Sequence, residues 1–180
     1  RAINYLDETV SSYEGTVWYV STEGVDSIDE DPESVGYRKN PGRTRNVAFR
    51  TVKYALSQAS FGDIVLIGPG EFQEIFPLTI PAGVTVKGTT IRSTKIVPTP
   101  ATNTKDCFLL NGDTGVEDLT IGDMFYDPLM NTGWAFRFAQ NSITVERSPY
   151  LQRVTVLNKG SVTSTSDPYG FDANDAGCGI

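Results

Sequence analysis

Carboxylates are the side chains through which this chain could do chemistry, because its 180 residues include 22 Asp plus Glu and no histidine. Without histidine, the usual general base, the Ser-His and Cys-His nucleophile arrangements and histidine metal ligation are all excluded. Two suitably spaced carboxyl groups can still cleave a glycosidic bond, and a carboxylate-bound Ca²⁺ beside an Arg or Lys base can support β-elimination from uronates. The charged residues expected on outward positions of later strands are Asp113, Glu117, Asp118, Asp123, Arg137, Arg147 and Arg153. Lone charges at outward positions are more often solvated or paired than catalytic, so we assign no catalytic residue and expect no cofactor.

Two acidic segments are candidate ligand sites. Residues 26–33 read DSIDEDPE, and the candidate calcium ligands there are Asp26, Asp29 and Asp31. The segment lacks the Asp-x-Asp-x-Asp-Gly spacing that folds a loop around the ion, and a solvated acidic loop explains it without a metal. Residues 167–175 read DPYGFDAND and mix carboxylates with aromatic rings, as a sugar-binding surface does; the candidates are Asp167, Tyr169, Asp172 and Asp175. A polar turn that leads to the next strand is the simpler interpretation.

A third segment, residues 124–134, is rich in large apolar side chains and reads MFYDPLMNTGW. On a loop, such residues expose a contiguous apolar patch unless something covers them. The loop either folds over the side of its own domain or forms a subunit interface, and the sequence leaves both open. The candidate interface residues are Met124, Phe125, Tyr126, Leu129, Met130 and Trp134.

Charge and composition exclude several classes of protein. The formal net charge is -7, with 15 Lys plus Arg, so long-range electrostatics repel nucleic acid and anionic membranes. No apolar run approaches the roughly 18 residues that cross a bilayer. Cys107 and Cys178 are too few for a disulfide scaffold or a four-thiolate zinc site, although one disulfide or two free thiols both remain open. We expect no nucleic-acid binding and no membrane insertion.

Local patterns predict one domain of short strands preceded by an arm. Residues 1–15 are polar and suit an extended arm or linker, and the domain is predicted over 16–180. A charged loop at 23–45 follows a first strand at 16–21, and a helix is predicted over about 46–60, with Asn46 as its N-cap. The apolar residues that share one face of this helix are Phe49, Val52, Leu56 and Ala59. The chain opens on Arg1, and Gly179-Ile180 resembles the start of a strand, so we expect a segment truncated at its C-terminal end.

A spacing of 35 residues links VTVK at 84–87, LTIG at 119–122 and VTVL at 154–157. Residues 108–110 map onto 143–145 at the same spacing. The pattern predicts a coil with three short strands per turn, stacked in parallel at roughly 4.8 Å, with Val84 and Val86 inward and Thr85, Thr120 and Thr155 stacked outside. Helical repeats of similar length are excluded by the β-branched residues, Gly and Pro, whereas an antiparallel sandwich would need tighter hairpin turns.

Three stretches resemble the opening of pectin-lyase-like right-handed parallel β-helix domains: WYVSTEGVD at 18–26, AFRTVKYALSQASFGDIVLIGPGEFQE at 48–74, and LTIPAGVTVKG at 78–88. The resemblance implies an all-β fold, a single-stranded right-handed parallel β-helix with an N-terminal amphipathic capping helix. It implies little about activity, because this opening occurs in lyases, hydrolases, epimerases, adhesins and bacteriophage tail proteins.

The polar arm and acidic character look most like a structural subunit of a phage virion appendage, such as a tail fibre or tailspike. The expected partners are two further copies in a homotrimer, other virion proteins and host surface polysaccharide. The expected location is the virion, or alternatively the secreted fraction. The rival functions are a carbohydrate-active enzyme, either lyase or glycoside hydrolase, and a glycan-binding adhesin without catalysis.

Overall fold

Ten short strands and one short α-helix make up the regular structure of the part of the chain that is described. The structure is a computed structural model and describes residues 15–29, 33, 39–127, 129–139 and 148–157. The predicted arm at 1–15 lies, apart from Gly15, outside the described residues. In chain order the elements are β1 (Val17–Val20), α1 (Val52–Gln58), β2 (Ile64–Ile67), β3 (Gly70–Glu74), β4 (Leu78–Ile80), β5 (Thr85–Gly88), β6 (Thr94–Pro98), β7 (Phe108–Leu110), β8 (Gly115–Gly122), β9 (Phe136–Phe138) and β10 (Tyr150–Leu157).

All pairs among these strands are parallel. One sheet has the order β1-β2-β5-β8-β6-β3, with β10 also paired to β8, and a second sheet has the order β4-β7-β9. The first sheet curls at β8, whose first half pairs with β5 and whose second half pairs with β6. Between the two halves Asp118 has φ 57°, a left-handed conformation that turns the strand. The predicted all-β, parallel architecture is confirmed at this level, and the curled sheet is consistent with a parallel β-helix.

The core consists of the inward-facing apolar side chains of these strands. In β4, Leu78 and Ile80 are fully buried while Thr79 between them is exposed, which is the alternation expected of a strand with one face on the core. Where strands stack, equivalent side chains stack too: the rings of Phe108 and Phe136 lie 5.8 Å apart at 11°. The predicted inward positions Val84 and Val86 are both fully buried.

Helix α1 begins later than predicted. Its N-cap is Thr51, whose hydroxyl accepts a hydrogen bond from the Tyr54 N–H, whereas Asn46 lies in a 3₁₀ turn at Arg45–Val47. Phe49 is fully buried as expected, but it precedes the helix. Its N–H donates to the Tyr19 carbonyl and its carbonyl accepts from Ser21 N–H, so pairing with β1 holds Phe49 extended. The helical spacing thus correctly identified Phe49 as buried, but backbone pairing with β1 keeps Phe49 out of the helix.

The predicted 35-residue spacing holds for one pair of strands and fails for the others. Leu119 pairs with Val154 and Thr120 with Thr155, as expected. Thr85, however, pairs with Gly115 rather than Thr120, so it does not join the predicted threonine stack.

The second predicted register is also wrong. Phe108 pairs with Phe136, and residues 143–145 lie outside the described residues. Parallel pairing requires only that the next strand lie beside the previous one. Because the intervening turns vary in length, the sequence spacing between paired strands is not constant.

Asp63 is a buried carboxylate that joins the start of β1 to the turn before β2. It accepts hydrogen bonds from Thr16 N–H at 2.7 Å, Trp18 Nε1–H at 2.9 Å and Ser60 N–H at 2.9 Å. Burial opposes ionisation of Asp63, but the hydrogen bonds from Ser60, Trp18 and Thr16 outweigh it and hold its pKa below the ordinary 3.8. Its contribution to stability is therefore present above the ordinary pKa and is lost as the pH falls through the lower folded value.

We expect Asp63→Asn to lower the free energy of unfolding by about 2–3 kcal/mol, because the new amide nitrogen would face buried N–H donors. Urea denaturation at pH 7 measures the change. Asp113→Asn is the matched control, since Asp113 Oδ1 has no hydrogen-bond partner and Asn tolerates its φ of 58°. Equal losses in the two variants would contradict the role of Asp63.

Candidate functional site

Two carboxyl groups from distant parts of the sequence meet at the start of α1. Asp26 Oδ1 accepts from Arg50 N–H at 2.8 Å and Thr51 N–H at 3.0 Å, and its Oδ2 accepts from the Thr51 hydroxyl at 2.8 Å. Glu74, the last residue of β3, accepts from Val52 N–H through Oε1 at 2.6 Å and from Lys53 N–H through Oε2 at 3.2 Å. These are the donors that the first turn of a helix leaves unsatisfied. We call Asp26, Thr51 and Glu74 the helix latch.

Glu74 is the most perturbed acid of the latch, with 2% of its surface exposed. Burial raises the pKa of Glu74 from 4.5 to about 7, opposed by the hydrogen bonds from Val52 and Lys53 and reinforced by the charge of Asp26. A cleft of about 500 Å³ adjoins it, and a perturbed carboxyl in a cleft is a general acid-base candidate. All four oxygens of Asp26 and Glu74 nevertheless accept hydrogen bonds from α1 or the two residues before it. The arrangement is that of a helix cap.

The candidate metal and glycan residues are not brought together. Asp26 belongs to the helix latch, the Asp29 N–H donates to the Ser27 hydroxyl, and Asp31 lies outside the described residues. Across the parts of the chain that the structure describes, no group of three or more Asp, Glu, Cys or His side chains could hold a metal ion. The candidate glycan ligands Asp167, Tyr169, Asp172 and Asp175 lie outside the described residues.

Outward charges of the curled sheet form pairs between neighbouring strands. Lys87 on β5 lies 2.8 Å from Glu117 on β8, and the other Glu117 oxygen accepts from the Tyr150 hydroxyl of β10 at 2.7 Å. The hydrogen bond from Arg153 on β10 to Asp118 on β8, 2.8 Å between Nη2 and Oδ2, lowers the pKa of Asp118. These pairs link successive strands across the sheet.

A second set of pairs lies on the other limb of the sheet. Lys95 on β6 bridges Glu71 at 3.0 Å and Asp123 at 3.2 Å. Of the remaining outward charges considered above, Arg137 pairs with Asp106 and Arg147 lies outside the described residues. Among the candidate charges that are described, Glu117, Asp118, Asp123, Arg137 and Arg153 are thus joined in ion pairs, whereas Asp113 is in none of them and its Oδ1 accepts no hydrogen bond.

The enlarged loop at residues 124–134 ends in a tight, apolar tip. Asp127 Oδ1 accepts from Leu129 N–H at 3.0 Å and Met130 N–H at 3.1 Å, and the backbones of Asp127 and Thr132 pair in both directions. Leu129 is 95% exposed and Met130 is 63% exposed. An Asx turn therefore holds two apolar side chains in solvent.

The other candidate interface residues are less exposed. Met124 is buried in the core, while Phe125, Tyr126 and Trp134 are half-buried. The rings of Tyr126 and Trp134 meet edge to face at 6.0 Å. The loop thus lies partly against its own domain and presents only its tip to solvent.

Asp106, a residue that the sequence did not single out, fixes the base of this loop. Its Oδ1 accepts from Gly133 N–H at 3.0 Å and Trp134 N–H at 3.1 Å, and its Oδ2 accepts from Arg137 Nη1–H at 3.2 Å. The only signal in the sequence was an acidic residue placed directly before the apolar strand CFLL.

A mostly apolar cleft of about 450 Å³ lies between this loop and the last described strands. Among the described residues that line it, the one cation is Arg137, which also donates to the Asn131 carbonyl at 3.1 Å. Phe138 is 54% exposed beside it. The lining residues are Leu110, Asn131, Trp134, Phe136, Arg137, Phe138, Pro149 and Leu151.

Comparisons with known proteins bear on the N-terminal part of the chain. A family described as a protein of unknown function (DUF1565) matches residues 35–97, about a third of the chain. The matched segment contains α1, β2 to β5, most of β6 and Glu74. The match and the curled parallel sheet together fit a parallel β-helix. No curated protein and no solved structure matches the chain significantly. Within the described residues, no helix has the length and apolar character to cross a bilayer.

We expect Asp106→Asn to lower the free energy of unfolding by about 1–3 kcal/mol, because its amide nitrogen would face the donors at the base of the loop. Acrylamide quenching of tryptophan fluorescence should also rise as Trp134 becomes more accessible, since Trp18 is buried. Asp127→Asn is the control, because the amide oxygen of Asn can still accept hydrogen bonds from the N–H groups of Leu129 and Met130. Unchanged stability and quenching in Asp106→Asn would contradict this role.

Proposed function

We propose that this chain is a structural segment of an elongated appendage, a single-stranded right-handed parallel β-helix with three short strands per turn and α1 at its N-terminal end. Three rows of parallel pairing support this geometry: β2, β5, the first half of β8 and β10; β3, β6 and the second half of β8; and β4, β7 and β9. Such a coil is a rigid rod, and its role is assembly and surface contact.

The observation that carries this proposal is the fixed apolar tip of the enlarged loop. Exposed large apolar side chains are costly unless a partner covers them, and Leu129 is 95% exposed on a turn held by Asp127. A tip that is already ordered loses little conformational entropy on binding. A subunit contact therefore explains the apolar composition of the loop. It also explains why hydrogen bonds to Asp106 and Asp127 fix the conformation of the loop.

The partners that we propose are two further copies of the chain and other proteins of a phage virion, in a tail fibre or tailspike. In a homotrimer, coils lying side by side would cover the loop tip and protect exposed strand edges from unwanted pairing. The acidic composition and the N-terminal resemblance to pectin-lyase-like domains, whose opening occurs in bacteriophage tail proteins among other classes, support this setting, and host surface polysaccharide is a further contact. The location would then be the virion, with a secreted protein as the alternative.

A second candidate function is glycan binding without turnover, favoured by the 450 Å³ cleft. Its size suits a small ligand, the half-buried Trp134 ring can stack on a sugar face, and Arg137 can donate hydrogen bonds. A depolymerase is less supported. The buried carboxyl groups of the described residues, Asp63, Glu74, Asp106 and Glu117, all accept hydrogen bonds from groups that hold the fold.

We expect the full chain to sediment as a trimer and the double variant Leu129→Glu, Met130→Glu to sediment as a monomer, because two charges would have to be desolvated at the contact. Equilibrium ultracentrifugation over a range of concentrations measures the mass. Ile28→Glu changes an equally apolar residue that is 54% exposed on another loop, so it should remain trimeric. A monomeric wild type at high concentration would overturn the trimer.

Incubation with a panel of acidic and neutral polysaccharides separates structure from enzymology. We expect no release of reducing ends or unsaturated uronates. Release of either product would contradict the proposal that the chain is purely structural. If the chain binds a polysaccharide without releasing product, and Trp134→Ala abolishes that binding, the result would favour the glycan-binding candidate. Glycan arrays or affinity electrophoresis measure that binding, with Tyr126→Phe as the control, because the ring that contacts Trp134 is retained.

A further inference from the structure

Strand β3 stands at one end of the first sheet and pairs on one side only, with β6. At its start, the Gly70 N–H donates to the Ser93 carbonyl at 2.7 Å. At its end, the Glu74 carbonyl accepts from the Thr99 N–H at 2.9 Å. Successive residues of a strand direct their backbone N–H and C=O groups to opposite edges, so every second residue of β3 serves β6. The residues between them direct their backbone groups to the other edge.

The other edge of β3 is open at Glu71 and Gln73. Both residues are exposed, and among the described residues no hydrogen bond is made to the backbone N–H or C=O of either one. At the next alternate position, the Ile75 carbonyl accepts from Lys53 Nζ at 2.9 Å, so a donor from outside the sheet already reaches this edge. The strand contains neither proline nor lysine, the residues that commonly discourage pairing at an edge. An open edge of this kind is a template for one more strand.

Space for a further strand lies beside this edge. A cleft of about 230 Å³ and a cleft of about 500 Å³ follow β3, and both are lined by Thr51, Gln73 and Glu74. The first cleft reaches Glu71 and the second reaches Ile75. The distance along the strand between these two residues is about 13 Å, which is the length of an extended segment of about four residues.

The charges that are free to meet a partner beside this edge are positive. Arg50 lines the smaller cleft and Lys53 lines the larger one; both are exposed, and neither takes part in an ion pair among the described residues. The carboxylates are already engaged, because those of the helix latch accept N–H groups at the start of α1 and Glu71 pairs with Lys95 at 3.0 Å. Charge complementarity therefore favours an incoming strand that carries carboxylates over one that carries ammonium groups.

We propose that the open edge of β3 is a docking site for an extended acidic segment of a partner protein. The segment adds to the sheet as one more strand through the backbone groups of Glu71 and Gln73, and its carboxylates lie beside Arg50 and Lys53. In this mode of recognition, main-chain hydrogen bonds supply affinity and side chains at alternate positions supply selectivity. The site shares no residue with the loop tip, so it stands or fails independently of the trimer.

Hydrogen exchange of single backbone amides, followed by NMR on the full chain, tests this proposal with a short blocked peptide of alternating valine and glutamate. In the free chain, the amides of Glu71 and Gln73 should exchange faster than that of Phe72, which faces β6. Saturating peptide should slow the exchange of the first two amides by roughly tenfold, because each gains a hydrogen bond. The amides of the loop tip should not change.

Two matched peptides and two matched variants separate the parts of the site. The same peptide N-methylated at every residue should have no effect, and a lysine version should bind roughly tenfold more weakly than the glutamate version. The double variant Arg50→Glu, Lys53→Glu should instead prefer the lysine peptide. Arg92→Glu, Lys105→Glu carries the same change of charge at exposed residues that line neither cleft, so it should keep the wild-type preference.

Three results would overturn the docking site: protection of Glu71 and Gln73 in the free chain equal to that of Phe72, exchange that the glutamate peptide leaves unchanged, or equal slowing by the N-methylated peptide. A lysine peptide that binds the wild type as tightly as the glutamate peptide would overturn the acidic partner. If the charge-reversed variant does not fold, the comparison of peptides on the wild type decides the question by itself.

Discussion

Stacking of short parallel strands is the constraint on which this structure depends. A strand of three to eight residues cannot hold its own conformation, and each buries its inward side chains only beside the strands before and after it. The edge at β1 shows what the constraint demands, because Tyr19 donates to the Gly42 carbonyl and Phe49 pairs with the same strand, so the following chain covers that edge. Beside it, Val52, Ala55 and Leu56 of helix α1 pack into the same core. Stability therefore comes from continuity along the stack, and any segment that covers an edge affects the strands behind it.

The same constraint explains where the acidic residues are used. Short strands need many turns, and turns leave backbone N–H groups that have no partner in a strand ladder. Asp63, Asp106 and Glu74 each accept at least two backbone N–H groups or an indole N–H from segments distant in sequence. A carboxylate suits this task because it offers two oxygens and binds N–H donors more strongly than a neutral acceptor does. These three acidic residues are thus part of the framework.

The sequence predicted an array of short parallel strands and the burial of Val52 and Leu56 on α1, because those features depend on local alternation and spacing, but it did not predict β3. It predicted the register between β8 and β10, but it misplaced the register between β5 and β8 and the partner of β7, since pairing depends on the length of each turn and not on a repeated motif. The N-cap was misplaced because the backbone of Phe49 pairs with β1, a contact between residues about 30 positions apart. Asp106 could not be recognised for the same reason: its partners at 133–137 approach it only after the strands have stacked.

The enlarged loop at 124–134 is informative because it lengthens the connection to β9 without disturbing the pairing of β7 with β9. Strands β7 and β9 on either side of it pair in register, from Phe108 with Phe136 to Leu110 with Phe138, so the parallel sheet accommodates the long loop. A loop with no role beyond connection would cost least if it were short and polar, yet this one exposes Leu129 and Met130 and is held by Asp106 and Asp127. In an isolated chain, fixing a loop tip costs conformational entropy, and exposing its apolar side chains to water brings no compensating burial. The subunit contact proposed above would reconcile the fixed tip with its apolar exposure, because burial of the tip would stabilise the complex while the two aspartates have already fixed the shape of the tip.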